Sequence, residues 1–136
     1  MKGLDTNVLV RYLVADEPAQ TKRAAKFIET ECTQDDPGFL NRIVLCELVW
    51  VLRGAYGYRR DEITVPLKKL LQTAEFRVED PSAAWNAVRL YEAGQCDFAD
   101  AYLAYTNRAA GCETTVTFDQ KASRLEDFEA LPNPLD

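Results

Sequence analysis

The sequence predicts an α/β fold of three layers, α/β/α, with a mostly parallel, twisted sheet of four to five strands and helices on both faces. Three observations predict it. Short β-branched or aromatic runs alternate with helical stripes along the chain, and such alternation builds parallel sheets covered by helices. One run, "IVLCELVWVL", is apolar almost all round, as a buried helix is. The length of 136 residues suits one domain with one core, here spanning 1–136.

Each element follows from local signals. "KGLDTN" reads as a first strand ending near Asp5, and residues 7–14 as a short helix. Asp16 is a candidate N-cap and Pro18 suits a first helical turn. Residues 19–32 then carry Ala24, Ala25, Phe27 and Ile28 on one helical stripe. "TQDDPG" is a turn and "FLNRI" a second strand. Residues 44–55 form the apolar helix, which "YGYRRD" breaks. Residues 62–73 form another, where Pro66 either kinks the helix or moves its start. "EFRVED" is a third strand. Residues 81–93 are amphipathic, with Trp85, Val88 and Leu90, and Gly94 fits a helix C-terminus. Residues 98–110 make a further helix closed by Gly111. "ETTVTFD" is a β-branched strand, "QKASRLE" a short helix and "FEALP" a last edge strand.

Composition narrows the chemistry. The chain has no histidine, which excludes Ser-His-Asp and Cys-His catalysis and imidazole metal ligands. Cys32, Cys46, Cys96 and Cys112 form no C-x-x-C pair and read as structural thiols. A net charge of −6 argues against nucleic-acid binding through bulk positive charge. It leaves room for a local basic rim around an acidic site. No uncharged apolar run approaches the roughly 18 residues of a membrane span, and the first residues lack the pattern of a signal peptide. Both point to a cytoplasmic protein.

Four acids then stand out. Asp5 and Asp119 each fall where a strand ends, and ligands in parallel α/β folds bind beyond those ends. Either residue also suits a helix cap. Glu47 lies in the apolar helix with Ile43, Val44, Trp50 and Val51 at helical spacing, so no neighbouring base pairs with it. A long-range bridge to Arg11 or Arg42 would satisfy it, and so would a metal. Asp97 and Asp100 in "CDFADAYLAY" lie three residues apart and project from one helical face. Asp97 also suits an N-cap, and Asp100 gains from the helix dipole. Gathered in one pocket, these acids would repel unless a cation joined them. Oxygen ligands without histidine or cysteine suit Mg²⁺ or Mn²⁺, the usual partners of chemistry at phosphate.

The pattern resembles the PIN-domain ribonucleases, and within them VapC-type toxins of toxin–antitoxin pairs. The resemblance spans essentially the whole chain and rests on "LDTNVLVRYL", "LCELVWVL", "DFADAYLAY" and "TVTFDQKA". It implies a PIN-like fold in which Asp5, Glu47, Asp100 and Asp119 hold Mg²⁺ or Mn²⁺, Asp5 and Asp100 most directly. Asp97 becomes an accessory acid, and Thr6, Asn7 and Thr117 orient carboxylates and water. The implied activity is hydrolysis of single-stranded RNA to a 3′-hydroxyl and a 5′-phosphate, inhibiting translation. The implied partners are an RNA substrate, a cognate antitoxin and a second copy in a homodimer.

Residues that grip the substrate are less marked. Arg59 and Arg60 follow "YGY" in an expected loop, with Arg11, Arg42 and Arg53 as further choices; a solvated loop is the plainer account of the pair. Trp50, Tyr56 and Tyr58 suit either an antitoxin groove or, for Trp50, the core. Two other functions fit parts of the pattern. A phosphatase with Asp5 as nucleophile is one, although Asn7 stands where such enzymes carry a second Asp. A non-catalytic binding module is the other.

Overall fold

The computed structural model describes residues 1–135; Asp136, the end of the expected domain, lies outside them. In order come β1 (Lys2–Gly3), α1 (Thr6–Val14), α2 (Pro18–Glu31), β2 (Gly38–Leu40), α3 (Arg42–Gly54), α4 (Arg60–Gln72), β3 (Phe76–Val78), α5 (Pro81–Glu92), α6 (Phe98–Ala109), β4 (Thr115–Thr117) and β5 (Phe128–Ala130). A single 3-10 turn, Ala122–Arg124, stands where the short helix "QKASRLE" was expected.

Every strand pairing is parallel. β2 lies between β1 and β3, with Gly38 opposite both Lys2 and Phe76. β4 and β5 pair separately, Thr115 opposite Phe128. The expected α/β layering and the five strands hold. The continuous sheet does not: among the described residues its hydrogen bonds divide into a three-stranded and a two-stranded piece. Strands of two or three residues offer few ladder bonds, so side-chain packing carries more of the fold. Gly38 shows how close that packing is. A Cβ there would stand 2.9 Å from Leu4 Cδ1 and 3.0 Å from Cys32 Sγ, so any larger residue at this point of the central strand would push those side chains aside.

One local device repeats along the chain. A strand stops, a short polar side chain caps the chain, and a helix leaves. Asp5 after β1 accepts from the Thr6 N–H at 2.8 Å, Asn41 after β2 from the Val44 N–H at 2.9 Å, and Asp80 after β3 from the Ala83 N–H at 3.3 Å. The caps satisfy N–H groups that a helix start leaves without partners. Helix α2 departs from expectation. Glu17, not Asp16, caps it through the Gln20 N–H at 2.7 Å, while Asp16 accepts from the Tyr56 hydroxyl at 2.9 Å and pairs with Arg11.

Helix α3 corrects a larger expectation. Its buried stripe is Val44, Leu45, Leu48, Val49 and Leu52, whose burial is worth about 1.5–3 kcal/mol per side chain. The opposite face is apolar but open to solvent: Ile43 is 64% and Trp50 60% exposed. The helix is therefore not buried all round, and Trp50 is not core. Helices α5 and α6 pack through small residues, Ala83, Ala84, Ala87 and Ala101. Edge-to-face pairs of Tyr91 with Phe98 and of Phe98 with Tyr102 continue that packing, with centroids 6.0 and 5.6 Å apart.

Arg60 opens α4 rather than sitting in a loop. Its guanidinium lies over the Tyr91 ring at 4.3 Å and donates to the carbonyls of Tyr91 and Cys96 at 2.8 and 2.9 Å. Arg59 pairs with Asp61 and Glu62. Neither arginine is free for a substrate. Helix α4 runs through Pro66 without interruption. No described helix is long and apolar enough to cross a membrane.

Candidate active site

Asp5 is exposed, and its position follows from the end of β1. Leu4 continues the extended path, its N–H bonding the Phe39 carbonyl at 3.0 Å, and Asp5 then turns the chain into α1. One carboxylate oxygen is taken by the Thr6 N–H. Thr6 itself is buried, and its hydroxyl oxygen has no hydrogen-bond partner. A buried hydroxyl without a partner costs free energy. It is thus an orphan polar atom immediately beside the first expected metal ligand. Asp5 and the exposed Asn7 both line a groove between α1 and α2 of about 740 Å³.

Three further acids stand at the start of α6 and after β4. Asp97 is the N-cap residue of α6 by backbone position, but its side chain makes no capping bond. It pairs instead with Arg53 at 3.2 Å, a residue 44 positions away in the chain. Asp100, in the first turn of α6, is half-buried. Burial raises its carboxyl above the usual range, and the charges of Asp97 and then Asp119 raise it further. Asp119 follows β4. One of its oxygens accepts from the Lys121 and Ala122 N–H groups at 2.8 and 3.0 Å, holding the 3-10 turn. The Thr117 hydroxyl accepts from the Asp119 N–H at 3.0 Å. Thr117 therefore orients the backbone that carries Asp119.

Asp97 and Asp119 both lie close enough for their charges to act on Asp100. Neither Asp5 nor Glu47 is among the charges that act on Asp100. Glu47 is exposed on α3 rather than trapped in an apolar interior. The argument from the cost of burying it therefore fails, because the apolar residues around it, Ile43 and Trp50, are themselves on the open face. No three acidic or thiol side chains among the described residues converge closely enough to enclose a metal ion.

The cysteines take no part. Burial pushes the Cys46 and Cys96 thiols up to about 11, far from the thiolate that nucleophilic attack needs. One acid escaped the sequence reading. Glu79, after β3, accepts from the Arg42 backbone N–H at 3.1 Å and its guanidinium at 3.2 Å, and these bonds hold its carboxyl below the usual range. It ties the start of α3 to the carboxyl edge of β3. The signal was its strand-end position, which it shares with Asp5 and Asp119. Of the expected aromatic trio, Trp50 lines an α3–α6 groove with Ile43, Cys46, Ala99, Tyr102 and Leu103. Tyr56 and Tyr58 are half-buried and pack on one another elsewhere.

Comparison with known proteins adds a second line of argument. A family model described as the PIN domain matches residues 3–127. A VapC ribonuclease of Aquifex aeolicus (strain VF5) is 27% identical over 125 residues, covering 92% of this chain and 92% of that protein. No solved structure matches the chain. The match to the family model takes in all the acids described above, from Asp5 to Asp119, and on it the chain belongs to the PIN-domain family.

Proposed function

We propose that this chain, taken as one domain over 1–136, is a divalent-metal-dependent endoribonuclease. It hydrolyses single-stranded RNA and serves as the toxin of a toxin–antitoxin pair, acting in the cytoplasm to inhibit translation. Support comes from its likeness to a protein named as a VapC ribonuclease. The observation that carries the chemistry is Asp100, a half-buried carboxyl raised by two acidic neighbours and with no described salt bridge of its own. A cation nearby would offset the charges of Asp97 and Asp119 on that carboxyl.

The donor set fits a hard ion. It offers only oxygen, it includes the unpartnered Thr6 hydroxyl, and Mg²⁺ needs just one or two carboxylates because it keeps several waters. The lack of a three-ligand cage is therefore compatible with Mg²⁺ or Mn²⁺. Asp5 and Asp100 would be the direct ligands, with Glu47, Asp97 and Asp119 around them. The bound ion would make a water a better nucleophile and offset charge on the phosphoryl oxygens.

The chain's own residues do the positioning. Asp119 and Glu47 accept hydrogen bonds from the attacking water. The Thr6 N–H holds the Asp5 carboxylate and the Thr117 hydroxyl holds the Asp119 backbone, while Asn7 would help orient the water. As the water oxygen joins phosphorus, the bond to the 3′ oxygen breaks. That oxygen takes a proton, leaving a 3′-hydroxyl and a 5′-phosphate.

The deciding experiment follows labelled RNA on a gel with Mg²⁺ or Mn²⁺, comparing wild type with Asp100→Asn. Cleavage that stops in the variant and in chelator supports the reading; equal cleavage by both proteins removes Asp100 from it. The exposed α3–α6 face of Ile43, Trp50 and Leu103 is our choice for the homodimer. Sedimentation of Trp50→Arg as a monomer would support that face, and an unchanged dimer would exclude it.

A further inference from the structure

The groove beside Asp5 has a charge opposite to that of the whole molecule. Its lining includes Lys2, Arg11, Arg23 and Lys26 against only Asp5 and Glu31, in a chain of net charge −6. Arg11 is already committed. Its guanidinium donates to Gln20 at 2.6 Å, to the Tyr56 hydroxyl at 3.1 Å and to Asp16 at 3.3 Å. Lys2, Arg23 and Lys26 are exposed and enter no salt bridge among the described residues.

The helical period of α2 explains their alignment. Arg23, Lys26, Phe27 and Thr30 fall at i, i+3, i+4 and i+7, one stripe along the groove. Between the cations lies an apolar floor of Leu4, Val8, Ala24 and Phe27, and the Lys2 ammonium stands 5.5 Å from the Phe27 ring. Free cations beside an apolar, aromatic-bearing floor are what single-stranded nucleic acid needs. Phosphates follow the charges while bases lie on the apolar surface. A folded acidic surface would meet the same cations but would have no use for a floor recessed between them.

We infer that Lys2, Arg23 and Lys26 form the arm that holds the single-stranded RNA backbone on its way to Asp5. This inference rests on the ribonuclease reading and deepens it. It replaces Arg59 and Arg60 as the substrate-gripping residues. The arm positions substrate and performs no chemistry.

The test measures binding of a fluorescent single-stranded RNA of about 12 nucleotides, within the usual span of one such site. Wild type and Lys2→Gln/Arg23→Gln/Lys26→Gln are compared in chelator, so that nothing is cleaved, across a series of salt concentrations. Each lost phosphate contact flattens the slope of log affinity against log salt by about 0.7, so the triple variant should flatten it by about 2. Lys22→Gln/Lys69→Gln/Arg77→Gln removes the same net charge from positions that do not line the groove and should leave the slope near wild type. Arg23→Gln/Lys26→Gln, which spares β1 and the Phe27 contact, should keep about two-thirds of the effect and guards against misfolding of the triple.

Equal slopes for wild type and the groove variant overturn the proposal, and so do equal losses in the groove and control variants. RNA cleaved normally by the groove variant at sub-saturating substrate also overturns it, while the ribonuclease reading survives. Wild type that neither binds nor cleaves RNA defeats that underlying reading instead. Retained RNA binding together with lost binding of an acidic peptide would overturn it too, assigning the groove to a protein partner.

Discussion

The two sides of the candidate site are built on opposite electrostatic terms. Around Asp5, three unpaired cations face two acids across the α1–α2 groove. Around Asp100, the charges of Asp97 and Asp119 both act on its carboxyl, and only Asp97 has a described cation, Arg53. One side has positive charge to offer, and the other lacks it. A phosphodiester strand with a metal ion at its reacting phosphate satisfies both, the strand meeting the cations and the ion meeting the acids. The difference teaches that the chain's acidic net charge is no guide to its ligand; the local sign is.

The sharpest way to break this comparison is at Asp100. Asp100→Asn should lower single-turnover cleavage of RNA by about a hundredfold or more, as removal of a group serving the transition state does. RNA affinity in chelator should stay unchanged. If affinity fell instead, the two sides would not be separable.

Arg60→Ala comes next in size, and its effect should be structural. The side chain bonds two carbonyls and covers Tyr91, so its loss should cost about 2–3 kcal/mol in denaturant unfolding. The salt dependence of RNA binding should not move, and a flattened slope would return Arg60 to the substrate-gripping set.

Asp119 separates cap from chemistry. Asp119→Ala should cost about 1 kcal/mol by stripping the 3-10 turn of its acceptor. Asp119→Asn should keep most of that stability and still lose cleavage. Equal activity of the Asp119→Asn variant and wild type would leave Asp119 as a cap alone.

The smallest effect is on stability against pH. Asp100 is raised in the folded protein, so folding favours its protonated form. Its contribution is most favourable below the ordinary carboxylate range and is lost as pH rises through its folded pKa. In chelator, Asp100→Asn should therefore melt a few degrees above wild type at neutral pH, and the gap should close in acid. Glu79 has the opposite sign. It is held low by Arg42, so its contribution is present above the ordinary carboxylate range and disappears as pH falls through its folded pKa. A pH series of melting curves on Glu79→Gln checks that its loss is felt at neutral pH and vanishes in acid.

Much of the fold was legible because its signals are local. Gly94 sits at a helix end with the residue type that end requires, and the helical stripes of α2 and α5 are written in their spacing; the caps Asn41 and Asp80 were read as strand residues. Strand lengths were not legible, since pairing depends on partners far along the chain. The acids were found by type and position, but their company was not. Glu47 looked trapped because sequence cannot tell an apolar face turned inward from one left open, and Ile43 and Trp50 proved to be the latter. The free state of Lys2, Arg23 and Lys26 was invisible for a similar reason, because a cation is free only by the absence of distant acids.

The separate β4–β5 pair has one more consequence. It rests on a small second cluster of Ala104, Ala122 and Phe128, whereas β2 and β3 give Leu40, Phe76 and Val78 to the main core. Few buried contacts mean a low free energy of local opening. Asp119 is thus carried beside a strand pair that should open more readily than the β2–β3 pair. In native-state hydrogen exchange, the amides of Val116 and Glu129 should exchange well before that of Phe39. Opening of the β4–β5 pair would carry Asp119 away from the metal site proposed for it.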